Sequence, residues 1–179
     1  CIFCYDNMII STTKVNANRG IIMNEKFFDL KKEKQDRMIN GAMKVFALNG
    51  YKRASTDEMV KEAGISKGLW FHYFDSKLGL YSFITEYAIR YMNMELQAMT
   101  NREPQDYFAT RLQVEKTKLM VRKSYPYIPL FLASLEKERD EDALLAVMDA
   151  VENYRNVMKK IYGAVDESKF RASVKRTQL

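Results

Sequence analysis

The chain has 179 residues, enough for one sizeable core or two small ones that share a helix. Its 47% apolar and 29% charged residues, with only three prolines and seven glycines, exclude a disordered chain and disfavour a β-rich one. The formal charge of +6 invites a nucleic-acid partner, but eleven Lys/Arg stand against eight Asp/Glu over residues 23–79 and sixteen against fourteen over 80–179, so the excess is spread thinly and decides little.

Residues 1–22 lack hydrophobic periodicity, and Met23 opens a stretch that reads like a natural start, so 1–22 are expected to be a non-native or disordered leader, either upstream sequence or a loosely ordered arm, outside the fold. Cys1 and Cys4 form a CxxC there with no second ligand pair, and no cysteine follows, which suits a reducing cytoplasm and gives no case for a metal or a cofactor. No apolar run approaches the roughly 20 residues of a membrane span.

From Lys31 the pattern turns helical, with Met38, Ile39, Ala42, Met43, Phe46 and Ala47 on one face and Asn49-Gly50 as the stop. Ser55 then heads an S-x-x-E capping box with Glu58, on a helix that buries Met59, Val60 and Ala63 and ends at Gly64. Ser66 caps a second short helix from Lys67 to Phe74. Two capped helices joined by Gly-Ile-Ser predict a helix-turn-helix.

Asp75-Ser76 breaks this unit, and a long helix runs from Lys77 to about Asn101, before Pro104. Further helices are expected at about 105–123, 128–138 and 141–162, and a last one from near Asp166. The fold class is all-α.

On a wheel at 100° per residue, Trp70 and Phe74 share one side of the second short helix, while Gly68 and His72 lie opposite, flanked by Lys67, Leu69, Phe71 and Tyr73. A helix enters the DNA major groove when its leading turn is slim and its edges carry donors. Gly68 permits close approach, while Lys67, His72, Tyr73 and Lys77 can donate. Ser55 or Thr56, at the preceding helix start, supplies a hydroxyl suited to a phosphate.

These residues carry a family resemblance. The stretch "AMKVFALNGYKRASTDEMVKEAGISKGLWFHYFDSKLGLY" resembles the DNA-binding domain of TetR-type transcriptional repressors, through Ala42, Phe46, Gly50, Thr56, Ala63, Gly64, Ile65, Ser66, Lys67, Gly68, Tyr73, Phe74, Ser76, Lys77 and Leu80. The resemblance implies that Thr56, Lys67, Gly68, Phe71, Tyr73 and Lys77 meet the DNA backbone and that Leu69 meets base edges. Phe71 departs from the pattern, standing where a tyrosine hydroxyl usually reaches a phosphate, and Asp57 and Glu58 bring acid to the DNA-facing end.

The resemblance also implies the division of the chain: a DNA-binding domain over 23–77, followed by a helical effector-binding and dimerisation domain over 78–179. Methionine and tyrosine are abundant in that second part, a composition that lines adaptable cavities. Tyr87, Tyr91, Met94, Phe108, Met120, Tyr127, Phe131, Met148 and Tyr154 are the expected effector pocket for a small hydrophobic or aromatic molecule.

Such repressors bind palindromic operators as homodimers and usually end in two long helices that form the dimer interface. Here only "FRASVKRTQL" stands in that place, so the body is expected to be C-terminally short. A helical carrier of lipophilic ligands would share the Met/Tyr body but needs no Ser66-Lys67-Gly68 helix start. An enzyme finds no support, since G-x-G-x-x-G, P-loop and H-E-x-x-H patterns are all missing.

Overall fold

Seven α-helices and no strand are found among the residues that the computed structural model describes, 25–100 and 106–166. The expected leader with Cys1 and Cys4, and the expected last helix beyond Asp166, lie outside them.

Helix α1 (Lys32–Arg53) buries Met38, Ile39, Ala42, Met43 and Phe46, the face set by the apolar spacing. The stop at Gly50 takes the form of a kink with φ 70° and ψ 173°, after which Tyr51 to Arg53 make one more turn. A left-handed φ of this size strains any residue with a Cβ.

Helix α2 (Thr56–Ala63) starts at Ser55, whose Oγ accepts from Asp57 N at 3.2 Å. The reciprocal half of the capping box is not made: Glu58 Oε2 instead accepts from Asn49 Nδ2 of α1 at 3.4 Å. Gly64 closes α2 in the left-handed region at φ 63°, and Ile65 N then donates to Val60 O at 3.2 Å. Helix α3 (Lys67–Tyr73) begins at Ser66, whose Oγ accepts from Leu69 N at 3.3 Å.

Helix α4 (Lys77–Thr100) is the spine. α5 (Tyr107–Ser124) and α7 (Glu141–Gly163) are capped by Asp106 and Asp140, each accepting from a backbone N–H three residues on. α6 (Ile128–Leu135) carries Pro129 in its first turn, where the missing N–H costs nothing. It ends three residues before the expected 138, since Glu138 turns its Oε1 onto the N–H groups of Arg139 and Asp140 at 2.8 and 2.9 Å and forms the corner into α7.

α1 packs on α2 and α6, while α4 packs on α1, α5, α6 and α7. Gly41 permits the first of these contacts, because a Cβ there would stand 3.1 Å from Ala63 N and 3.3 Å from Met59 O, both backbone atoms. A single buried cluster then runs from α1 through α3 and α4 to α6. Phe27, in a 3-10 turn over Glu25–Phe27, sits at the α3 end of this cluster with its ring 5.8 Å from Tyr73, 5.3 Å from Phe74 and 5.6 Å from Phe83. Phe131 of α6 reaches the same cluster between Phe46 and Tyr81.

Candidate nucleic-acid interface

Helix α3 is short, so its orientation is set by what its inner side buries. Trp70 and Phe74 are 1% and 3% exposed, as the wheel places them, and Tyr73 is 7% exposed. The outer side carries Ser66, Lys67, Gly68, Phe71 and His72, all exposed, with Leu69 half-buried at its edge. A Cβ on Gly68 would meet no atom within 4 Å, so this glycine serves no packing inside the molecule.

Two of the expected contact residues are placed otherwise. Tyr73 belongs to the core: it is 7% exposed and Phe27 packs on its ring, so that ring does not lie on the outer side of α3. Lys77 also turns inward. Its Nζ donates to Lys52 O at 3.2 Å and Ala54 O at 3.4 Å and lies 4.6 Å from the Tyr51 ring centroid, which satisfies carbonyls left over where α1 ends.

Ser55 and Thr56 lie at the start of α2, directly after the exposed cations Lys52 and Arg53; Ser55 is partly exposed in spite of its capping bond, and so is Thr56. Lys67 Nζ lies 2.6 Å from Asp57 Oδ1, a pairing that joins the first turns of α2 and α3. The sequence places acid at this end but does not disclose the partnership, which depends on the turn angle between the helices.

The residues expected to form an effector pocket do not enclose one space. Phe108, Met120 and Met148 are 72%, 49% and 57% exposed, because their positions fall on the outer faces of α5 and α7. Phe131 is fully buried between Phe46 and Tyr81, and Tyr127 stands apart beside Lys44, in an open polar hollow with Arg37, Asn40 and Glu62. Tyr154 is partly buried on α7, and burial pushes its hydroxyl up to about 12.

Tyr87 and Tyr91 do meet, on either side of Tyr125, with ring centroids 5.4 and 4.9 Å from it. Tyr125 donates to Asp36 Oδ1 at 2.7 Å, its hydroxyl is hydrogen-bonded to that of Tyr87, and Lys32 Nζ donates to it at 3.0 Å. Burial, then the Tyr87 hydroxyl and the Asp36 carboxylate, push the Tyr125 hydroxyl far above its ordinary value. This cluster ties the start of α1 to α4. Further along α4, Asn93 is 8% exposed and donates to Asn153 Oδ1 at 2.9 Å, while its own Oδ1 is buried without a partner.

Among the described residues no group of three or more His, Cys, Asp or Glu could hold a metal ion, and no helix is long and apolar enough to cross a membrane.

Residues 38–82, which hold the whole helix-turn-helix and the first turn and a half of α4, match the family described as bacterial regulatory proteins, tetR family. The chain is 35% identical over 71 residues to an uncharacterized HTH-type transcriptional regulator, YerO, of Bacillus subtilis (strain 168), a match covering 40% of this chain and 24% of that protein. It is 47% identical over 49 residues to a second uncharacterized HTH-type regulator of the same organism, YuxN, covering 27% of this chain and 17% of that one. The chain thus matches about a quarter or less of the length of these curated relatives. A solved structure of a tetR family transcription regulator from Shewanella sp. PV-4 shares the fold with a TM-score of 0.52 at 18% identity, over 74% of this chain and 69% of that one.

Proposed function

We propose that this chain, a tetR-family transcriptional regulator by its helix-turn-helix head, reads duplex DNA with the outer side of α3 and acts as a ligand-responsive repressor. The observation that carries the DNA face is the division of α3: three rings buried on one side, and Ser66, Lys67, Gly68, Phe71 and His72 presented on the other. Lys67 is assigned to a phosphate, Gly68 to close approach, Leu69 to apolar contact with thymine methyls, and Phe71 to van der Waals contact with the backbone. Ser55 and Thr56 are assigned to the flanking backbone. The head is taken as residues 23–77 and the effector-binding and dimerisation body as 78–179.

The proposed operator is a palindrome bound by a homodimer with its α3 helices about one DNA turn, roughly 34 Å, apart. The proposed switch is a small hydrophobic effector lodged along α4, whose buried Asn93 oxygen is an acceptor without a partner. A tilt of α4 would move α3 through Phe27, Phe74 and Phe83 and release the operator; a coupling of about 1–3 kcal/mol suffices.

Selection of bound sequences from random duplex DNA tests the reading, and recovery of a palindrome is expected. Lys67→Ala should weaken binding to the recovered duplex and flatten its dependence on log salt by up to about one unit, measured by anisotropy titration. An unchanged affinity and slope would remove the phosphate contact, and a chain that is monomeric at micromolar concentration in sedimentation would remove the dimer.

A further inference from the structure

The lysine at the leading end of α3 already has an anionic partner in the DNA-free chain. Lys67 Nζ and Asp57 Oδ1 are 2.6 Å apart, with 56% and 70% of the two side chains still exposed. The pair bridges two fixed points, because Ser55 Oγ holds the backbone N–H of Asp57 and Ser66 Oγ holds that of Leu69. A carboxylate set against an ammonium at the first turn of a helix offers the same charge and acceptors as a phosphate would there.

We infer that Asp57 is a positioning residue that competes with DNA phosphate for Lys67. The inference rests on the reading that this side of α3 meets DNA. In the unbound chain Asp57 keeps the ammonium at the mouth of the interface and neutralises it, so a passing duplex meets a pair with no net charge instead of a free cation. Binding transfers Lys67 from the carboxylate to a phosphate and leaves the carboxylate facing the duplex. Both effects lower affinity for DNA of arbitrary sequence, where attraction is almost entirely electrostatic.

The test uses Asp57→Asn in the full chain, with a labelled duplex of mixed sequence titrated from about 50 to about 200 mM salt. An exposed ion pair shifts an equilibrium by up to about fivefold, so the variant should bind about two- to fivefold more tightly at low salt. Its log-affinity against log-salt slope should steepen by up to about 0.9. Glu58→Gln removes the same charge from the adjacent position, but its carboxylate accepts from Asn49 and is not Lys67's partner, so a smaller gain is expected.

Repeating Asp57→Asn in a Lys67→Ala background isolates the mechanism, and there the gain should fall to that of Glu58→Gln, the part due to a bare carboxylate facing the duplex. Unfolding midpoints of all variants are compared with the parent to show that each is folded. Equal gains from Asp57→Asn and Glu58→Gln, or a gain that survives undiminished without Lys67, would overturn the inference in favour of a general charge effect. No gain at all overturns it too. If the parent chain holds no duplex at low salt, or if Lys67→Ala binds as the parent does, the interface itself is wrong and this role falls with it.

Discussion

Trp70→Ala should lower unfolding free energy by about 3–5 kcal/mol, the cost of emptying a large aromatic site that cannot collapse. Trp70 is 1% exposed and its ring lies 5.5 Å from that of Phe74. Phe74 continues to Phe27 and Phe83, so the cavity would open at the one place where α3, the turn before α1, and α4 converge. Urea unfolding followed by far-UV circular dichroism reads the loss as a shift in midpoint.

The contrasting variant is Phe71→Ala, next in sequence but 44% exposed. It should change stability by no more than about 0.5 kcal/mol. A stability loss at Phe71 matching that at Trp70 would mean that the outer side of α3 is packed against something, and the proposed DNA face would be lost with it. The two variants therefore test an orientation, not merely a core.

The same contrast separates what is legible in the sequence from what is not. Trp70 and Phe74 lie four apart, one turn of a helix, and the periodicity alone assigns them to one side. The caps at Ser55 and Ser66 and the closing Gly64 are legible for the same reason, since each depends on residues within a few positions. Tyr73 is not legible, because its side of the helix is decided by Phe27, in a 3-10 turn 46 positions earlier in the numbering that no periodicity marks. Lys77 reads as a surface donor, yet the carbonyls it closes belong to a helix end that exists only because Gly50 kinks α1.

The expected pocket fails for a related reason. Residue type fixes what Phe108, Met120 and Met148 could line, but not which way their helices turn. Where helices cross, a shift of one position moves a side chain from the core to the surface. Tyr87 and Tyr91 come together, on either side of Tyr125, because both lie on α4, the helix that most others pack against.

Glu138→Gln carries the second large effect, and its pH dependence identifies the cause. Glu138 Oε2 accepts from Tyr51 N at 2.8 Å across 87 positions of sequence, while Oε1 accepts from Arg139 N and Asp140 N. The carboxylate thus clasps the corner between α6 and α7 to the kinked end of α1. Burial alone would raise its pKa, but the N–H groups of Asp140, Tyr51 and Arg139 outweigh that and hold it below the ordinary 4.5. Hydrogen bonds to a charged acceptor are worth about 1.5–3 kcal/mol, and the amide keeps part of them, so Glu138→Gln should cost about 2 kcal/mol near neutral pH.

The sign of the pH dependence follows from the depressed value. A carboxyl that is harder to protonate folded than unfolded adds stability that is fully present above its unfolded pKa and is lost as pH falls through the folded one. The stability gap between the parent and Glu138→Gln should therefore stay constant from neutral pH down to about one unit above 4.5 and then close. Urea midpoints collected across that range read the gap directly. A gap that persists unchanged to the lowest pH would mean that shape, not the ionised clasp, makes the amide side chain unfavourable at this corner. Closure would place a charge-dependent tie between the body and the end of α1, one turn from the Ser55 cap where the proposed DNA-reading unit begins.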